Sequence, residues 1–162
     1  MDNMLKIRQT LTGSIFEVFE RMFYVFLEPA DRTDGEYHYR ACINFSGPLR
    51  GELTAVFSRP LAEVMLQNML NIGENEFDER LMEDCLKESI NMICGNFLSK
   101  YDSGQVFNLS IPTYTSGRQM DGIEADTDSE AVKLKFLGGQ GNLMVIMTLP
   151  AQGKGITLRE ST

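Results

Sequence analysis

The segment from Phe77 to Tyr101 is the longest stretch of helical periodicity in the chain, and it constrains the fold more than any other feature. Its apolar residues recur at steps of three and four, so they lie on one broad arc of an α-helix. Asp78 is a candidate N-cap, and acidic residues follow it in the first turn, where they complement the helix dipole. The members of the apolar arc are Leu81, Met82, Cys85, Leu86, Ile90, Ile93, Cys94, Phe97 and Tyr101. The rest of the fold must provide an apolar layer against which this helix packs.

The remaining periodic segments predict such a layer. Further helices are expected from Thr10 to Leu27, ending before Pro29, and from Pro60 to Leu70. Alternating residues predict two strands, Glu36 to Phe45 and Arg50 to Ser58, with Ser46-Gly47-Pro48 as the turn of a hairpin between them. Further strands are expected over Val106 to Ile111, Ala131 to Leu137 and Leu143 to Leu149. The last strand is almost wholly apolar and is expected to be central. The fold class is therefore α/β of the α+β type: a mainly antiparallel sheet with one long amphipathic helix and two further helices packed on it.

A weak internal duplication is also visible. When Glu17 is laid over Glu88, the residues from Phe16 to Phe23 run parallel to those from Lys87 to Cys94. Glu20 then falls opposite Asn91. The length of 162 residues fits one domain, expected over residues 1–150, with 151–162 as a loosely ordered tail or a final strand extension.

Composition excludes several classes of function. Fifteen Lys and Arg against 23 Asp and Glu give a net charge of −8, which disfavours binding to nucleic acid. No apolar run approaches the roughly 18 residues that cross a bilayer, and the N-terminus lacks the features of a secretory signal. A cytoplasmic location without membrane contact is expected. The odd number of cysteines, three, favours reduced thiols.

No metal or nucleophile motif is found. The single histidine, His38, lies in a predicted strand, and no catalytic triad can be assembled around it. Cys85 and Cys94 are nine residues apart on one helix, so they point in nearly opposite directions and cannot share a metal ion. The glycines from Gly138 to Gly141 precede a strand rather than a helix, which is wrong for a phosphate-binding loop.

The outer arc of the long helix is more informative. Asp84, Glu88, Asn91 and Gly95 follow one another at steps of four, three and four, so they lie in one line and can meet a single partner. Gly95 is unusual there, because glycine inside an exposed helix costs about 1 kcal/mol relative to alanine. Close approach of a partner to the backbone would explain it. A merely solvated acidic face is the alternative, and spacing alone favours that alternative.

The run from Asp84 to Asn96, DCLKESINMICGN, resembles the signature of the CheC, CheX and FliY chemotaxis phosphatases, most closely the CheX type. That signature is Asp or Ser, three residues, Glu, two residues, Asn, and a distant proline, which Pro112 matches. The segment Ser46–Leu53 is similar to the glycine-bearing hairpin of the family, and the resemblance covers nearly the whole chain. One departure is the gap of 20 residues between Asn91 and Pro112, slightly short for the family, which bears on loop geometry more than on chemistry.

The resemblance implies a phosphatase that hydrolyses the phospho-aspartate of a CheY-like receiver domain in chemotaxis or two-component signalling. Asn91 would orient the attacking water, and Glu88 would pair with the active-site lysine of the receiver. Asp84 would support that contact, and Gly95 would keep the rim of the site flat, a role inferred from the residue and not from the family. The family also implies a homodimer formed through sheet edges. Magnesium would belong to the receiver, so no cofactor bound by this chain is expected.

CheC-type members carry two sites and the CheX type carries one, and Glu20 stands where a second site would require asparagine, so one site per chain is expected.

Besides the enzyme, two hypotheses stay open: a module that binds a receiver or motor component without catalysis, and a structural dimer whose outer face is only solvated.

Overall fold

The structure, a computed structural model, describes residues 2–32, 36–73, 76–117, 129–139 and 141–150. The predicted tail at 151–162 lies outside the described residues. The described elements are α1 (Asp2–Met22), β1 (Glu28–Pro29), β2 (Tyr37–Ser46), β3 (Gly51–Ser58), α2 (Arg59–Leu70), α3 (Glu79–Tyr101), β4 (Asn108–Leu109), β5 (Thr113–Ser116), β6 (Ser129–Gly138) and β7 (Gly141–Pro150).

These strands form one antiparallel sheet in the order β1-β6-β7-β3-β2, with β4 and β5 both pairing with the outer side of β2. If β1 is matched with β5, β2 with β6 and β3 with β7, the strand order is the same whether it is read from one edge of the sheet or from the other. Each half of the chain thus contributes a helix, an edge strand and a hairpin. The predicted α+β class is confirmed, the internal duplication is visible in the topology, and the apolar strand β7 is central, as expected.

The main core lies between the sheet and the helices. Alternate residues of the central strands, such as Leu53, Ala55 and Phe57, face α1, α2 and α3 and are fully buried. The residues that alternate with them contribute to a second, smaller buried cluster made of Tyr37, Val56, Met144 and Ile146. Because one side of α3 belongs to the main core, its opposite side is fixed in orientation relative to the sheet.

The predicted end of the first helix is wrong. The helix ends at Met22, and Tyr24 adopts a left-handed conformation with φ 54°. Val25 and Leu27 are buried while Phe26 is 73% exposed, which is the alternation of an extended chain and not of a helix. The aromatic and aliphatic residues that lead into the edge strand continue the three- and four-residue spacing of the helix, so spacing alone extends the predicted helix past Met22.

The predicted strand from Val106 to Ile111 is largely wrong as well. Only Asn108 and Leu109 pair with β2, whereas Val106 and Ile111 are more than four-fifths exposed. The main edge strand on this side is β5, which lies after Pro112 and is polar. A short edge strand needs no apolar residues because little of it is buried, so composition gave no signal for it.

Among the described residues, no helix is long and apolar enough to span a membrane.

Candidate functional site

The helix α3 is fixed at both ends by its own sequence. Asp78 adopts an extended conformation, and its Oδ1 accepts a hydrogen bond from the Arg80 N–H at 2.8 Å, so the predicted N-cap is confirmed. Lys100 lies in the last turn, where a cation complements the helix dipole. Nine buried residues on one arc hold the helix against the core. The direction of the outer arc is therefore determined by packing.

All four predicted site residues lie on that outer arc. Asp84, Glu88 and Asn91 are exposed, and Gly95 is partly exposed. Within the described part of the chain, neither the Glu88 carboxylate nor the Asn91 amide takes part in a hydrogen bond or an ion pair, whereas neighbouring Glu83 and Lys87 pair at 2.7 Å. The carboxylate and the amide are thus available to a partner molecule.

The surroundings of Gly95 explain nothing about why it is glycine. A Cβ atom at this position would meet no atom within 4 Å, so the chain itself has room for alanine. Since alanine would favour the helix, the glycine has no structural advantage within the described protein. A glycine without a structural advantage is expected where another molecule must come close to the helix backbone.

The chemistry available on this face is that of a carboxylate and a neutral amide. An amide both donates and accepts hydrogen bonds and carries no charge, so it can hold a water molecule next to anionic oxygens. The described residues contain no cluster of three or more His, Cys, Asp or Glu that could hold a metal ion. Burial raises the pKa values of Cys85 and Cys94 to about 12, so both thiols stay protonated at neutral pH and are poor nucleophiles.

Pro112 lies on the edge of the sheet next to α3. Before it, Leu109 pairs with Phe45, whose ring lies 6.5 Å from that of Phe97 in the C-terminal half of α3. After it, the Tyr114 hydroxyl donates a hydrogen bond to Glu79 Oε2 at the N-terminal end of α3, at 2.5 Å. Pro112 therefore lies between two points at which the edge is tied to the helix. Burial and then the hydrogen bond to Glu79 raise the pKa of Tyr114.

The loop after α3 is also held by the hairpin between β2 and β3. Gly47 has φ 143°, and a Cβ there would lie 3.0 Å from the Phe107 ring and from the Val106 carbonyl oxygen. Asn44 and Ser110 bind each other through backbone and side-chain hydrogen bonds at 2.9 Å. The glycine-bearing hairpin singled out in the sequence thus contacts the segment that leads to Pro112.

The matching face of α1 does not repeat the arrangement. Glu17, the counterpart of Glu88, accepts a hydrogen bond from Lys100 of α3 and pairs with Arg21 at 3.1 Å. These contacts, led by the hydrogen bond from Lys100, lower the pKa of the Glu17 carboxyl below its ordinary value of 4.5, and Asn96 contributes a further hydrogen bond. Glu17 therefore joins the two helices instead of facing a partner. Sequence periodicity gave no signal for Lys100 and Asn96 in this role, because their partner is distant in the chain.

The chain is similar to known proteins in both sequence and fold. Residues 39–137 match the family model described as chemotaxis phosphatase CheX. Among solved structures, the chain is similar to chemotaxis protein CheX from Vibrio vulnificus, with 23% identity, a TM-score of 0.72, and 86% of this chain and 93% of that chain covered. It is also similar to a CheX from Desulfovibrio desulfuricans, with 18% identity, a TM-score of 0.73, and 88% and 98% covered.

A third similar structure is a complex of CheX with CheY, BeF3 and Mg2+ from Borrelia burgdorferi, with 17% identity, a TM-score of 0.69, and 89% and 97% covered. At these identities the structures show the shared fold alone. No curated protein matches the sequence. The family model spans well over half of the chain, including α3 and its outer face, and on that basis the chain belongs to the CheX family of chemotaxis phosphatases.

Proposed function

We propose that this chain is a phosphatase that hydrolyses the phospho-aspartate of a CheY-like receiver domain. Membership of the CheX family supports the reaction class, and a similar CheX structure that contains CheY supports the class of partner. The observation that carries the proposal is the exposed pair on α3, Glu88 and Asn91, which have no partner among the described residues. A receiver-domain substrate also implies a cytoplasmic location.

Asn91 is proposed as the catalytic residue that orients water. Phosphoryl transfer needs little covalent help from a protein and depends on a nucleophile held in line with the leaving oxygen. The amide of Asn91 can accept a hydrogen bond from the water and donate one to a neighbouring oxygen. A carboxylate at this position would repel the phosphoryl oxygens. The amide is therefore the suitable group for insertion into a phosphorylated site.

Glu88 is proposed to fix the angle at which Asn91 enters that site. Glu88 lies nearly one turn before Asn91 on the same face, where it can pair with the lysine of a receiver active site. Asp84, one turn earlier, extends the same acidic line and reinforces the contact. Gly95, one turn after Asn91, allows the partner to approach the helix backbone. The four positions together form the docking face, which we call the α3 face.

The proposal assigns one site to each chain and no bound cofactor. On α1 the counterpart of Glu88 is engaged by Lys100, and Glu20 stands where asparagine would be needed. The magnesium ion that receivers use is assigned to the receiver. Nucleic acid and membrane are not proposed as partners.

We further propose a homodimer formed through the β5 edge of the sheet. In a two-fold symmetric dimer the same edge meets itself, so like charges along it repel. The outer edge of β6 carries Lys133 and Lys135, which disfavours self-pairing there. The β5 residues Thr113–Ser116 carry no charge and leave their outer side without a described strand partner.

The test of catalysis is the Asn91→Ala variant assayed with a panel of phosphorylated receiver domains. The rate of phosphate release should fall by about a hundredfold or more, because the water loses its positioning group, while receiver binding is retained. Asn44→Ala, an exposed asparagine on β2, is the matched control and should keep the wild-type rate. Equal decay with wild type and Asn91→Ala would contradict the proposal that this chain is an enzyme that uses Asn91.

Charge reversal tests whether the α3 face binds a receiver at all. Glu88→Lys should abolish receiver binding, because it places two cations together in the contact. Glu20→Lys, on the exposed counterpart position of α1, should bind like wild type. Unchanged binding by Glu88→Lys would favour the structural dimer whose outer face is only solvated.

A further inference from the structure

A cavity of about 490 Å³ lies between the exposed side of α1 and the outer edge of β6, and its lining residues come from α1, β6 and the segment 29–31 and not from α3. It begins where β1 ends, at the hydrogen bond from the Ala30 N–H to the Lys135 carbonyl oxygen at 2.9 Å. Leu134 and Phe136, both buried, line its floor. Arg8 and Thr12 line it from α1.

The duplication explains why this space exists. On the other edge of the sheet, β5 pairs with four residues of β2. The matching strand β1 pairs with only two residues of β6. The cavity thus occupies the part of the β6 edge that corresponds to the place of a longer strand in the other half of the molecule.

The backbone of β6 is suited to accept such a strand. The carbonyl of Lys135 faces β1, and alternate residues of a strand direct their N–H and C=O groups to the same side. The backbone groups of Lys133 and Ala131 therefore point to the same outer edge, where no strand among the described residues pairs with them. An edge of this kind is a template for an added strand.

The positive charge around the cavity favours an acidic sequence in an added strand. Arg8, Lys133 and Lys135 line it together with one carboxylate, Asp31, although the whole chain has a net charge of −8. Within the described residues, no ion pair joins these three cations to a carboxylate. Arg8 approaches from the helix side, whereas the side chains of Lys133 and Lys135 project toward the other face of the sheet. Acidic residues at successive strand positions would meet a cation on either side.

We propose that the outer edge of β6 binds an extended acidic peptide segment of a partner protein, which adds to the sheet as a strand. Main-chain hydrogen bonds to Lys133 and Ala131 provide the pairing, and Arg8, Lys133 and Lys135 provide the preference for acidic side chains. This site is independent of receiver dephosphorylation at the α3 face, so the failure of either leaves the other intact.

The test uses the full chain and a short synthetic peptide of Glu and Val, with a matched peptide in which every Glu is Lys. The Glu peptide should bind, the Lys peptide should not, and the Lys133 amide should become protected from hydrogen exchange. Arg8→Gln and Lys133→Gln should each weaken binding about tenfold, while Arg50→Gln, an exposed cation outside the cavity, should not.

Three results would overturn the proposal. The first is the absence of binding by the Glu peptide. The second is equal binding by Arg8→Gln, Lys133→Gln and Arg50→Gln, which would assign the affinity to charge in general. The third is a pair of observations: inorganic pyrophosphate binds at the same cations, and the Glu peptide does not protect the Lys133 amide from hydrogen exchange. That pair would make the cavity a site for small anions.

Discussion

At the scale of single residues, the function proposed here depends on side chains that do nothing for the fold. Glu88 and Asn91 are exposed and have no partner in the described part of the chain, and Gly95 gains nothing from being glycine. Residues with a structural role show the opposite pattern, as Asp78 does by capping α3. The absence of a structural reason, together with the common line on one face, is what distinguishes these residues.

Gly95 provides a prediction with an internal control. Gly13 in α1 is also a helical glycine whose Cβ would meet no atom within 4 Å. Gly95→Ala and Gly13→Ala should each stabilise the protein by up to about 1 kcal/mol in urea unfolding, because alanine favours a helix. Only Gly95→Ala should lower kcat/KM for a phosphorylated receiver, by about tenfold, because the added methyl group separates the two backbones. Equal activity of the two variants would contradict the role of Gly95.

The scale of helices and strands shows how the site is oriented, and here prediction from sequence had uneven success. The long helix, its cap at Asp78 and the hairpin around Gly47 were predictable, because local periodicity and turn chemistry determine them. The end of α1 and the strand β5 were not predictable from the sequence. The extended chain after α1 is partly exposed and β5 is short and polar, so neither carries a local signal. Contacts such as Tyr114 with Glu79 join residues distant in the chain, so no local pattern indicates them.

The contact between α1 and α3 predicts a pH dependence of stability. The Glu17 carboxyl has a lowered pKa in the folded protein, chiefly through its hydrogen bond from Lys100. A lowered folded-state pKa gives stability that is complete above the ordinary value of 4.5 and is lost as the pH falls through the folded-state value. Glu17→Gln should therefore be less stable than wild type at neutral pH, and the difference should shrink in acid below pH 4.5.

Urea unfolding of both proteins across this pH range measures the effect. Glu20→Gln, on the exposed side of the same helix, controls for the loss of one negative charge. A difference between wild type and Glu17→Gln that stays constant down to strong acid would show that the ion pair contributes nothing through its charge.

At the scale of the whole molecule, the duplicated topology gives the sheet two edges with different properties. The β5 edge is uncharged, and the β6 edge carries cations beside a cavity. In the proposals above, one fold offers three separate surfaces: the α3 face for the receiver, the β5 edge for a second copy and the β6 edge for an acidic strand. In the sequence, the duplicated topology was visible only as a faint repeat, because the positions of α1 that match the α3 face carry almost none of the same residues.

Proline substitutions distinguish the edges. The Gly117 N–H donates to the His38 carbonyl oxygen, so by alternation the Ser116 N–H points away from β2. Ser116→Pro should leave the pairing of β5 with β2 intact and convert the proposed dimer to a monomer, because proline cannot donate to a second copy. Lys133→Pro, at the outer edge of β6, should remain dimeric. Sedimentation analysis that finds the reverse would place the dimer interface at β6.

The most direct measurement of the central claim is the decay of a phosphorylated receiver at saturating concentrations of wild type and of Asn91→Asp. The two side chains have nearly the same shape, so the comparison isolates the neutral amide from its position on α3. Because a carboxylate repels phosphoryl oxygens and cannot donate a hydrogen bond, Asn91→Asp should be slower by about a hundredfold or more. Decay at the wild-type rate with Asn91→Asp would contradict the account, since the amide would then have no part in placing the water.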